Sequence, residues 1–433
     1  MFYLPTYREY EVKLSESKKE IVNLRDFISS FDTGKNIPQT DDGIPYIRTQ
    51  NVRMIYPEID EIAYVSQDYK GKTTEKNDIL FVRVGVGVGD CCVISSNEEG
   101  FAFSDNVIRI KVNEEFNPYY VSTYLSTTIG KALFFKSIKG SGKPVISREN
   151  LDGISIPKLP KENQNEIEKL IEKATLEKNK KIKDAIEIVQ SVDEIIANKI
   201  GFEFPKVLDK SNFSIKISNL ENRFDPHFYL PSFKALIDNI RKTKNAQLGD
   251  IVDFSKESWN QKDGFENEFP YIEISEIDLS SGKINNVSMV PISEAPSRAK
   301  MVVRPNDIIV STTRPHRGAI SLIDADKDGY IASTGFAILR NLKTDLISKE
   351  YLYYILRTQI CLQQMLQRSS GGSYPAITAE ELRNIYIPIP DKSIQQEVVN
   401  DIKAFIERAE QLKADAKADF ENAKQEIEAL ILS

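Results

Sequence analysis

Residues 142–200 read GKPVISRENLDGISIPKLPKENQNEIEKLIEKATLEKNKKIKDAIEIVQSVDEIIANKI: a glycine loop, a short apolar strand broken by prolines, then a long charged helix. From Gly372 the chain does the same again: GSYPAITAEELRNIYIPIPDKSIQQEVVNDIKAFIERAEQLKADAKADFENAKQEIEALIL. Pro144 pairs with Pro375, Leu151 with Leu382, Pro157 with Pro388, and Gln164-Asn165-Glu166 with Gln395-Gln396-Glu397, always 231 positions apart. A constant offset of that size in 433 residues means two tandem copies of one module, each ending in a long helix.

Outward from these stretches the correspondence continues. Leu24-Arg25-Asp26-Phe27-Ile28 opens the first module and Leu248-Gly249-Asp250-Ile251-Val252 the second, after a polar lead-in over 1–23 in which Tyr10, Val12 and Leu14 alternate. Ile44-Pro45-Tyr46-Ile47 matches Phe269-Pro270-Tyr271-Ile272, both extended because the residue before proline is pushed toward β. Asn77-Asp78-Ile79-Leu80 and Asn306-Asp307-Ile308-Ile309 each read as a turn feeding a strand. Tyr120 to Thr127 and Tyr351 to Thr358 carry helical spacing. The fold class is therefore α+β: two tandem modules spaced by two long helices, with boundaries at 1–160, 161–203, 204–390 and 391–433. Ile182, Ala185, Val189, Val192 and Ile196 step by 3 and 4. So do Ile402, Phe405, Ala409, Leu412 and Ala416, continuing through Ala423 and Leu430. These are heptad seams, and they predict an antiparallel coiled coil with pseudo-twofold symmetry between the modules.

Composition excludes several classes. No apolar run approaches the roughly 20 residues of a membrane span, so a cytoplasmic chain is expected. Three cysteines and two histidines, His227 and His316, make neither a disulfide framework nor a multi-histidine metal site. The net charge of −7 is concentrated in the helices: residues 161–200 hold 8 basic and 9 acidic side chains, residues 391–433 hold 6 and 10. Outside them, Lys131, Lys136, Lys139, Lys143 and Arg148 are offset locally only by Glu149, and Arg298, Lys300, Arg304, Arg314 and Arg317 only by Asp307.

Three stretches invite a catalytic reading, and none survives. Val84-Gly85-Val86-Gly87-Val88-Gly89-Asp90 resembles a phosphate or S-adenosylmethionine loop, but its counterpart Thr313-Arg314-Pro315-His316-Arg317-Gly318 keeps only the last glycine, which predicts a shared hairpin turn. Asn117-Pro118-Tyr119-Tyr120 falls one proline short of an amino-methyltransferase motif and sits where a helix N-cap belongs. Lys139-Gly140-Ser141-Gly142-Lys143 lacks the spacing of a phosphate-binding loop. The chain reads as a binder, not an enzyme.

Pro144-Val145-Ile146-Ser147, Leu151, Ile156-Pro157 and Gln164, with Pro375-Ala376-Ile377-Thr378, Leu382, Ile387-Pro388 and Gln395, resemble the specificity subunits of type I restriction–modification systems over essentially the whole chain. The resemblance implies two target-recognition domains, each reading half of a bipartite site in double-stranded DNA. It also implies helices that fix the spacing, dock two methyltransferase subunits and position restriction subunits. No cofactor is expected in this chain: S-adenosylmethionine for adenine N6 methylation belongs to the methyltransferase partner, ATP and Mg to the restriction partner. A related assembly with methylation and cleavage fused in one partner, or a coiled-coil scaffold with no DNA role, also fits the residues. Base and phosphate contacts need arginine, lysine and amides on loops. The candidates are Arg48, Gln50, Asn51, Arg53, Arg83, Lys139, Ser141 and Lys143 in the first module. In the second they are Gln261, Arg298, Lys300, Arg314, His316, Arg317, Arg368, Ser373 and Tyr374.

Overall fold

The computed structural model describes every residue except 1–4, 61, 86, 138–144, 208, 210–211, 222 and 262–263, and the side chains of 5–8 and 137. The chain divides into two compact units, residues 1–183 with 413–433, and residues 184–412.

The first unit opens with α1 (Pro5–Glu16), β1 (Ile21–Asn23), β2 (Ile28–Thr33), β3 (Gln39–Thr40), β4 (Ile44–Ile47) and β5 (Ala63–Val65). It continues with β6 (Ile79–Val82), β7 (Cys91–Val93), β8 (Ala102–Phe103), β9 (Val107–Val112), α2 (Pro118–Ser126), α3 (Thr128–Ser137), α4 (Arg148–Asp152) and β10 (Ser155–Pro157). The long α5 (Lys161–Lys199) then carries the chain into the second unit. That unit holds α6 (Pro231–Arg241), β11 (Asn245–Gln247), α7 (Leu248–Ile251), β12 (Val252–Phe254), β13 (Glu268–Ile272), β14 (Ser288–Pro291), β15 (Ala299–Val302) and β16 (Ile308–Ser311). After them come β17 (Ile320–Leu322), β18 (Ile331–Ser333), β19 (Phe336–Leu342), α8 (Lys349–Leu356), α9 (Gln359–Arg368), α10 (Ala379–Arg383) and β20 (Tyr386–Pro388). Finally α11 (Lys392–Leu432) returns to the first unit.

The duplication read from sequence reappears as topology. Strands β2-β9-β6-β7 form one sheet and β12-β19-β16-β17 its counterpart, in the same order. A second four-stranded sheet in each unit contains one parallel pair, β4 with β8 and β13 with β18, setting Tyr46 opposite Ala102 and Tyr271 opposite Ile331. Ile79-Leu80-Phe81-Val82 is apolar at every position because β6 is covered on both faces. Ile79 and Phe81 join the helix-side core, while Leu80 and Val82 join the core with Ile47 and Phe103. Ile308 and Val310 against Ile309 divide the same way.

Each unit also contains an antiparallel pair of helical segments. In the first, Ile167 and Ile171 of α5 share a core with Phe420, Ile427 and Ile431 of α11, and Lys181 pairs with Asp419. In the second, Ala185 packs with Ala409 and Leu412, and Lys199 reaches Asp401 at 2.8 Å. Two expectations need correcting. The seam does not run on to Leu430: Ala423 is half-buried but Leu430 is exposed, and Phe420, Ile427 and Ile431 are buried. Steps of four, from 416 to 420 and from 427 to 431, keep one stripe on a straight helix of 3.6 residues per turn, where a strict heptad drifts away. Residues 5–16, read as alternating, form α1, and Leu14 packs on Ile129 and Leu133. Among the described residues no helix is long and apolar enough to cross a membrane.

Candidate nucleic-acid interface

In both units the loop after the central strand is clamped to the loop before the short helix α4 or α10. Ile146 N–H donates to the Arg83 carbonyl at 3.0 Å, and Val84 bridges Val145. Ile377 N–H donates to the Thr312 carbonyl at 2.8 Å, and Thr313 bridges Ala376. The glycine stretch is a hairpin connection between β6 and β7, as expected, with Gly89 at φ 90° and Gly318, between β16 and β17, at φ 78°. Asn117 is the N-cap of α2, its side chain accepting from the backbone N–H groups of Tyr119 and Tyr120.

In the second unit the clamp builds a surface. Ser370 and Ala376 exchange backbone hydrogen bonds of 2.9 and 2.8 Å, so residues 371–375 form a narrow loop with Tyr374 69% exposed at its tip. Arg314 N–H donates to the Pro375 carbonyl at 2.7 Å, and its guanidinium donates to the Ser373 carbonyl at 3.1 Å. The guanidinium carbon lies 4.1 Å from the centre of the Tyr374 ring. Arg298, Arg314, Arg317 and Tyr374 line one open hollow of about 510 Å³, with Glu273 and Ser275 on its wall. Exposed Lys300 lies two residues beyond Arg298, and Gln261 steadies their loop by donating to the carbonyls of Pro296 and Ala299.

Other candidates have different surroundings. Asn51 is buried and closes its own turn, accepting from Arg48 N–H at 2.9 Å and donating to the Glu58 carbonyl at 2.8 Å. Arg368 is buried too, held to Glu381 at 2.7 Å and stacked near Phe228. His316 turns from the Arg314 hollow to a separate cavity of about 280 Å³ lined by Asp193, Gln190 and Tyr354. Its Nδ1 is buried without a hydrogen-bond partner, and burial, then Arg317 and Arg314, hold its pKa below the usual imidazole value. Asn51 and Arg368 are thus tied into the interior, and half-buried His316 faces a different hollow from Arg314. The local charge counts are corrected as well: Lys131 pairs with Asp90, Lys136 with Glu11, Arg148 with Asp152, and Arg304 with Glu257 and Asp328. In the first unit Gln50 is exposed, Arg48 reaches Gln39 at 3.4 Å, Arg53 pairs with Glu58, and Arg83 stands on the clamp. Lys139, Ser141 and Lys143 lie outside the described residues. The sequence reading passed over Glu273 because it sought donors alone; an acid two residues after the matched Pro-Tyr pair is the signal that could have found it.

A family model of the type I restriction modification DNA specificity domain matches residues 16–188 and again 240–421. The chain belongs to this family. This specificity subunit is 23% identical to the MjaVIII specificity subunit of a type I restriction enzyme from Methanocaldococcus jannaschii, over 96% of this chain and 92% of that one. It is 27% identical to the HindI specificity subunit of Haemophilus influenzae, over 31% of this chain and only 29% of that protein. A chain from the solved structure reported as "Structural basis underlying complex assembly and conformational transition of the type I R-M system" shares its fold. That likeness has a TM-score of 0.51 at 15% identity, covering 95% of this chain and 96% of the other. Within a restriction–modification system the specificity subunit is the DNA-recognition component, not a catalytic one.

Proposed function

We propose that each unit reads one half of a bipartite site in double-stranded DNA, and that α5 and α11 fix the number of unread base pairs between the halves. The observation that carries this reading is the double match of the specificity domain, combined with a clamped loop pair repeated in both copies. In the second unit the reading surface is Arg298, Lys300, Arg314, Arg317, Ser373 and Tyr374. In the first it is Arg48, Gln50 and Arg83, with Lys139, Ser141 and Lys143 retained on sequence grounds. Arginines and amides on such loops suit major-groove edges, and lysines beside them suit phosphates.

The helices then dock two methyltransferase subunits and position restriction subunits in the cytoplasm. The chain needs no cofactor of its own: S-adenosylmethionine serves adenine N6 methylation in the methyltransferase partner, and ATP with Mg serves the restriction partner. Methylome sequencing of cells carrying the complete system tests the two-reader arrangement. Replacing residues 312–318 and 369–376 together is expected to alter one half of the methylated motif and leave the other intact. Simultaneous change of both halves would overturn it.

A further inference from the structure

The two copies differ at one backbone position where the difference has a direction. Val84 and Thr313 occupy equivalent places, each bridging the loop before the short helix. The next residue is left-handed in both: Gly85 at φ 102°, Arg314 at φ 49°. Glycine reaches that region freely, whereas a side-chain-bearing residue is driven from it by its own Cβ. An arginine held there points to a use for the side chain, because strain of this kind collects at functional sites.

The surroundings show how the side chain is fixed. The Tyr374 ring covers one face of the guanidinium, the Ser373 carbonyl takes one N–H, and the backbone N–H is tied to Pro375. Stacking occupies a face and leaves the in-plane edge of the guanidinium for other acceptors, and Arg314 lines the hollow. Arginine with two free parallel donors matches the O6 and N7 acceptors of guanine. Glu273, on the same wall, offers the acceptor that the N4 amine of a paired cytosine would need.

We propose that Arg314, pre-oriented by Tyr374, reads a guanine in the half-site assigned to the second unit. The inference rests on the bipartite-reading proposal and adds the base that Arg314 reads and its positioning partner.

Arg314→Gly is the deciding variant, since it installs what the first unit already uses at this backbone position. Its melting temperature is expected to match the parent. In methylome sequencing of cells carrying the complete system, one G·C position of one half-site is expected to relax, with discrimination falling roughly tenfold to a hundredfold. The other half-site stays unchanged. Tyr374→Phe, which keeps the stacked ring, should leave the motif intact, whereas Tyr374→Ala should relax the same position. An unchanged motif in Arg314→Gly would overturn the proposal, as would uniformly weaker methylation at every site, the signature of a phosphate contact. In either case a parent motif that is still bipartite leaves the two-reader proposal standing. A parent motif that is not bipartite removes both.

Discussion

At the scale of single residues, Gln164 and Gln395 explain why a glutamine starts both long helices. Gln164 accepts from Asn117 N–H at 2.6 Å and donates to the carbonyls of Glu115 and Leu159. Gln395 accepts from Ser348 N–H at 2.9 Å and donates to Leu346 and Pro390. Each side chain satisfies backbone groups that are buried or partly buried. Gln164→Leu or Gln395→Leu keeps the bulk and orphans those groups, so each is expected to cost about 3 kcal/mol in urea denaturation. The repeat made both glutamines visible in the sequence. The partners before α2 and α8 were not, because Asn117, Glu115, Ser348 and Leu346 lie 47 to 49 residues away along the chain. Lys349 gives a pH-dependent test in the second unit. Burial lowers its pKa from 10.5 to about 8, while its ammonium donates to the carbonyls of Leu339 and Arg340. Between those two pH values the unfolded chain holds a proton that the folded chain releases, so folding stability rises with pH across that window. Urea midpoints of the parent, taken relative to Lys349→Met, should climb from pH 8 to 10.5; a flat difference would show that the lysine is not buried in this way.

Among the elements, the helix pair and the clamped loops were unequally legible. A 3–4 step marks an apolar stripe whatever it packs against, so Ala185, Ile196, Ile402, Ala409 and Leu412 were identified and are buried. Beyond Ala416 the stripe meets the core of a domain rather than one facing helix, and the period relaxes toward 3.6. The loops were legible as glycine- and serine-bearing segments, but burial of Asn51 and Arg368 depends on tertiary neighbours with no local signature. Where Ala185 meets Ala409, small side chains permit a close approach. Ala185→Leu is expected to lower stability by about 2 kcal/mol through overpacking. Circular dichroism melts check this, with the exposed Ile186→Leu as a control at the neighbouring position.

On the scale of the whole molecule, α5 and α11 run unbroken for 39 and 41 residues, about 60 Å each. If they set the spacing of the half-sites, a heptad added after Val189 and another after Ala409 lengthens each by about 10 Å, near three base pairs. The methylated motif is then expected to show a longer gap, or methylation is lost because the second face has rotated about the DNA. An unchanged motif at full methylation would separate the helices from the spacing. The division into units also has a temporal side. Residues 184–412 are one uninterrupted stretch, whereas the first unit needs Phe420, Ile427 and Ile431 to fill its core. A ribosome therefore releases everything the second unit requires before it releases the last apolar piece of the first. The half encoded first is the half completed last, and until residues 413–433 emerge it waits with an open apolar seam, a substrate for chaperones. Ending the chain after Leu412 is expected to leave the second unit's cooperative transition in place and abolish the first unit's, read as protease-resistant fragments in pulse proteolysis. A stop after Leu412 would thus damage the unit that residues 1–183 begin, not the one it directly follows.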